Sequence, residues 1–158
     1  MLLLNNAFLA EGIIATISEF RRVPGLENAT GAYAMRAGMD PKELVWEETR
    51  KQVDPNLPSR NGALYVFDSR EIAEAVGAKW FGAEQPRHLV EARVVNGSRV
   101  FKADTAWLDC VPADWQQNSA RYWAGDMTAN PVPEILVDGR VYFPGWQNPP
   151  FGRFRPQN

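Results

Sequence analysis

The sequence predicts an α+β fold with mostly antiparallel pairing, on three observations. Two Gly turns of hairpin type, Asn96-Gly97 and Asp138-Gly139, each lie between strand-like runs. Residues 57–80 read as a strand passing directly into a helix. Two further helical stretches stand outside any strict strand–helix alternation. With 158 residues and a net charge of −2, the chain is expected to form one domain over residues 1–158, with a core large enough to need no disulfide or metal.

The first twenty residues are apolar, but Asn5, Asn6, Glu11 and Gly12 interrupt them and no basic stretch opens them. Neither a signal peptide nor a membrane span is expected. A short helix or strand precedes the apolar piece 13–17, which runs into Phe20-Arg21-Arg22-Val23 and stops at Pro24-Gly25. On a strand, Arg21 and Arg22 would point to opposite faces, one toward a cleft and one toward water. Asp40 is placed to cap a helix over 41–52, with Pro41 at its first position and Glu43 three residues on. Leu44, Val45 and Trp46 would face inward, and Glu47, Glu48, Arg50 and Lys51 outward.

The central stretch opens with a turn at 58–62 and continues as a strand over 63–67, Ala-Leu-Tyr-Val-Phe. Asp68 or Ser69 then caps a helix whose apolar positions are Ile72, Ala73, Val76 and Trp80. After Pro86 a strand over 89–95 is expected to return through Asn96-Gly97 as a hairpin with 99–103. Residues 105–111 suit another short strand. Asp114 would cap a helix reaching Trp123, which Gly125 ends. Glu134 to Val137 and Arg140 to Phe143 read as a second hairpin about Asp138-Gly139. Residues 144–158 are rich in Pro, Gly and aromatics, as suits an extended strap.

Composition limits the chemistry. A single cysteine, Cys110, excludes an internal disulfide and a cysteine-cluster zinc site, and one histidine, His88, makes a Cys–His nucleophilic pair hard to assemble. No metal site is expected. The acidic balance disfavours nucleic-acid binding as a main task, although Arg140, Arg153 and Arg155 form a small basic group near the end. No Gly-x-Gly-x-x-Gly follows a strand, so a Rossmann dehydrogenase is not expected. The candidates are polar residues at strand ends. Ser69 closes a core strand, where it serves either as a helix cap or in chemistry. Glu134 opens an apolar strand, where it is either a carboxylate open to a cleft or a charge that blocks edge pairing. Arg60 follows Pro58-Ser59 and suits either a phosphate or an acid partner.

An arginine after an apolar run, a serine before a helix and a glutamate opening a late strand, in that order, resemble the Arg–Ser–Glu arrangement of the ADP-ribosyltransferase fold. The match is strongest over 58–141: PSRNGALYVFDS followed by a helix, then ARYWAG, then PEILVDGRVYF. These stretches are similar to a little-characterised bacterial group of that superfamily. The resemblance implies split, mostly antiparallel β-sheets with flanking helices and NAD as co-substrate. It implies that Arg21 or Arg22, with Arg60, holds the phosphates or ribose. Ser69 would orient the nicotinamide ribose or the catalytic glutamate. Glu134 would bind the 2′-hydroxyl and stabilise an oxocarbenium-like centre. Tyr65, Phe67, Trp80 and Tyr122 are the aromatic side chains available for a stacking wall. Val132 stands where many such transferases carry Glu or Gln, which argues against the arginine-modifying type. Ser69 is a lone serine beside Asp68 where Ser-x-Ser is common.

The resemblance thus implies a mono-ADP-ribosyltransferase, with a protein or nucleic acid as acceptor, of the toxin or effector kind. An immunity or antitoxin protein would be its further partner. NAD hydrolysis, or a protein- or nucleotide-binding module of the same fold, are the alternatives. The expected location is the cytoplasm, or a target cell reached without a cleaved signal peptide.

Overall fold

The computed structural model describes residues 7–10, 12–31, 34–35, 40–81 and 89–147. Among these residues seven strands form two antiparallel sheets: β1 (Ala7–Ala10), β2 (Ile13–Thr16), β7 (Arg140–Tyr142) and β4 (Arg93–Val94) in that order, and β3 (Leu64–Val66), β6 (Pro133–Asp138) and β5 (Arg99–Asp104) in that order. The three longer helices among these residues flank them: α1 (Pro41–Val53), α2 (Arg70–Phe81) and α3 (Trp115–Ala124). The α+β class and the antiparallel pairing agree with the sequence.

The helices begin and end where their capping chemistry directs. Asp40 accepts a hydrogen bond from Lys42 N at 2.9 Å with Pro41 at the first position of α1. Gly125, at φ 78°, closes α3 in the left-handed conformation that a side chain would oppose. Asp114 precedes α3 without making the expected side-chain cap. Residues 105–108 form a 3-10 turn rather than a strand, because Asp104 accepts from Ala106 N and starts a helical turn there.

The strand register divides the three-stranded sheet into two chemically different faces. Tyr65, Leu136 and Phe101 share one row, and Glu134 and Ala103 another, on the face that meets α1 and α3. There Trp46, Tyr122, Trp123 and Leu136 build the core, with Tyr122 set edge-on to Trp123 at 4.8 Å and Phe101 stacked on Trp123 at 5.4 Å. The rows Leu64–Val137–Val100 and Val66–Ile135–Lys102 lie on the opposite face. That face looks toward the four-stranded sheet, whose row Ile14–Val141–Val94 stands across from it.

Both expected hairpins are corrected. Strand β4 pairs with β7 and β5 with β6, so Asn96-Gly97 carries the chain from one sheet to the other. Asp138-Gly139 does the same between β6 and β7. The two crossings lock together: Ser98 Oγ accepts from Arg140 N at 2.8 Å, and Val95 N donates to Arg140 O at 3.0 Å. A Cβ on Gly139, whose φ is 142°, would lie 2.6–2.8 Å from Ser98. Asn-Gly and Asp-Gly favour a hairpin locally, but the strands that they join pair in different sheets.

Three further expectations change. Arg21 and Arg22 follow a helical turn (Ile17–Phe20) and are exposed, so neither is strand-borne. Leu44 is 55% exposed on α1, whereas Arg50 is buried, donating to Glu47 and to the carbonyls of Pro55 and Leu57. Residues 89–92 carry no strand, which is confined to Arg93–Val94. His88, the Trp80 side chain, and Arg153 and Arg155 of the strap lie outside the described residues.

Candidate functional site

The space between the facing sheets is a half-open cleft of about 680 Å³. Leu64, Val66, Val100 and Ile135 line one wall, and Ile14, Val94, Val141 and Phe143 the other. Asp68, Ser69, Arg70 and Ala73 close one end where β3 passes into α2, and Leu89 to Ala92 border it as well. A cleft of this volume, apolar on both walls with a few polar groups gathered at one end, suits a flat ligand with a polar head. Its charged residues, among those described, are Asp68, Arg70 and Glu91. Asp68 is paired with Lys102, whose side chain rises from the cleft face of β5. Arg70 lies 3.5 Å from Glu74 and Glu91 lies 3.1 Å from Arg93, both pairs well exposed.

Ser69 sits at this end as expected, and its hydroxyl accepts from Ile72 N at 3.3 Å, which makes it the cap of α2. Phe67 lines the cleft. Tyr65 borders it too, but its ring turns to the core face, where its hydroxyl donates to Arg60 O at 2.7 Å.

Glu134 is on the other side of the sheet. The expected opening onto a cleft is corrected: the residue is fully buried, because Ile135 takes the cleft face and its neighbour must take the opposite one. Its Oε1 accepts from Arg60 Nη1 at 2.6 Å and from Tyr122 Oη at 2.5 Å, while its Oε2 has no partner among the described residues. Arg60 also donates to Tyr122 Oη at 2.8 Å, reaches Glu43 at 3.3 Å, and lies over the rings of Tyr65 and Tyr122 at 5.5 and 5.3 Å.

Burial by itself would lower the Arg60 pKa. The neighbouring Tyr122 and Tyr65 oxygens and the Glu134 and Glu43 carboxylates outweigh it, and the guanidinium is held above its ordinary value. Burial pushes the Tyr122 phenol up against the opposing pull of Arg60, so it remains a proton donor. Four expected site residues, Arg60, Tyr65, Tyr122 and Glu134, therefore do meet, but inside the core.

Arg21 and Arg22 belong to neither group. Arg21 donates through Nε to Ala29 O at 2.7 Å and borders a smaller hollow of about 190 Å³ with Arg50, Arg99, Ser59 and Asp138. Arg22 pairs with Glu19 at 2.5 Å. Sequence reasoning missed the cleft's second wall and Lys102. The register that places Lys102 beside Ile135 joins residues more than thirty positions apart, and no local pattern encodes it.

Among the described residues no group of His, Cys, Asp and Glu is placed to hold a metal ion, and no helix is long and apolar enough to cross a membrane. Fold and cleft together define an α+β protein with two separate antiparallel sheets and a ligand-sized space between them. Residues 28–144 match the family model described as Protein of unknown function (DUF2441), and the chain belongs to that family. No curated protein matches the sequence.

Proposed function

We propose that the protein binds NAD in the cleft between its sheets and cleaves the nicotinamide–ribose bond, transferring ADP-ribose to a macromolecular acceptor. The cleft is the observation that supports this reading. It is about 680 Å³, has apolar walls that include Phe67 and Phe143, and carries Asp68, Ser69 and Arg70 where β3 passes into α2. Nicotinamide in NAD is a flat cation, so an apolar slot bordered by carboxylates is a fitting receptor. The likeness of the 58–141 stretch to the ADP-ribosyltransferase fold supplies the reaction, and the split antiparallel sheets are compatible with it. A protein or nucleic acid is the acceptor in this proposal, and the setting that of a bacterial toxin or effector with an immunity partner.

A second reading, a nucleotide-binding module without turnover, is favoured by one observation: Glu134 is sealed away from the cleft. Calorimetric titration of the purified chain with NAD, beside chromatographic detection of free nicotinamide, separates the two. Binding with release is expected. Binding without release would support the module, and absence of binding would end both NAD readings.

A further inference from the structure

We infer that Asp68 is the carboxylate of the cleft that faces the scissile bond, a role that the sequence motif gives to Glu134. This rests on the proposed NAD reaction and changes which residue performs it. When nicotinamide leaves, the C1′–N bond breaks and its electron pair passes to the ring nitrogen, neutralising the ring. C1′ is left as an oxocarbenium ion, and an acceptor hydroxyl or water adds there and releases its proton to solvent. The step needs a negative charge beside C1′ that strengthens its hold as the cation forms. Glu134 cannot supply it from its buried place on the far face of β6, where Arg60 and Tyr122 hold it.

Among the described residues two carboxylates border the cleft, Asp68 and Glu91. Glu91 lies in an irregular segment and its side chain is 67% exposed, against 46% for Asp68, so water screens it more. Asp68 is fixed from three sides. Strand β3 ends two residues before it, the α2 cap Ser69 follows it, and Lys102 grips its Oδ2 from the cleft face of β5. The Lys102 pair, about half exposed, takes Oδ2 and leaves Oδ1 without a partner among the described residues. Asp68 and Arg70 then form one polar end, a carboxylate for the cation and a guanidinium for the phosphates, while the Ser69 hydroxyl between them is held by Ile72 N and Glu71.

The test uses the full-length chain and four variants: Asp68→Asn, Asp68→Ala, Glu134→Gln and, as a surface control, Asp109→Asn. NAD affinity, nicotinamide release and melting temperature are measured for each. Asp68→Asn should bind NAD within a few-fold of wild type while release falls roughly 100-fold, the scale seen when one transition-state contact is removed. Asp68→Ala should behave alike, and Asp109→Asn should be unchanged. Release at the wild-type rate in both Asp68 variants overturns the assignment and leaves the NAD reaction standing. Loss of release in Glu134→Gln at an unchanged melting temperature, with Asp68→Asn active, returns the role to Glu134. A wild-type chain that binds NAD without releasing nicotinamide, or fails to bind it, overturns the proposed reaction itself and this assignment with it.

Discussion

Glu134 and Ile135 are adjacent in sequence and serve opposite sides of one strand. The alternation that gives Ile135 to the cleft gives Glu134 to the core, where a lone carboxylate would be costly without Arg60 and Tyr122. The pair is a buried ion pair, so its removal should depend on how it is removed. Glu134→Ala leaves Arg60 with Glu43 as its remaining acid partner and should destabilise by roughly 3–5 kcal/mol. The joint change Glu134→Leu with Arg60→Met should cost less than either single change, since apolar replacements need no solvation. Urea denaturation of Glu134→Leu, Arg60→Met and the joint variant checks this, and additive losses would show that the two groups do not depend on each other. The sequence made Arg60, Tyr122 and Glu134 legible as polar residues with a shared purpose. It could not tell an active cleft from a buried network, because both need a cation, an acid and aromatic rings.

At the scale of elements, most boundaries were legible and two connections were not. The α1 start at Asp40-Pro41, the α3 end at Gly125 and the β3–α2 unit follow from short-range capping and side-chain periodicity. Asn96-Gly97 and Asp138-Gly139 signal a turn but not its destination. They became crossings because β4 and β7 pair with each other, as do β5 and β6, a decision made by contacts distant in sequence. Gly139 is where this joint is tightest. A methyl group there would meet Ser98 atoms, including its Cα at 2.8 Å, at a backbone angle that side chains avoid. Gly139→Ala should therefore destabilise by about 2–4 kcal/mol, against almost nothing for Gly62→Ala, which has open space and an ordinary φ. Equal melting temperatures for the two variants would contradict a packed joint.

For the whole molecule, acid stability is where one side chain has the widest effect. Asp104 ends β5 and is fully buried, and its two oxygens accept four hydrogen bonds: Oδ1 from Ala106 N and Val132 N, Oδ2 from the Thr128 backbone N and hydroxyl. It thus ties the 3-10 turn and the 128–132 loop to the sheet, and so sets where β6 begins. Burial pushes its carboxyl up, but the bonds from Thr128, Val132 and Ala106 outweigh that, and the net pKa lies below the ordinary aspartate value. A lowered folded pKa means that the stabilisation is complete above the unfolded value of about 4. It is lost as the pH falls through the folded value. Asp104→Asn removes the charge and faces an amide donor toward one pair of existing donors, whichever way it turns. At pH 7 it should cost about 2–3 kcal/mol. Denaturant titrations from pH 7 down to 3 should show the wild-type advantage holding constant until about pH 4 and narrowing below it. An advantage that stays constant to pH 3 would mean that the contribution of Asp104 is packing, not ionised hydrogen bonding.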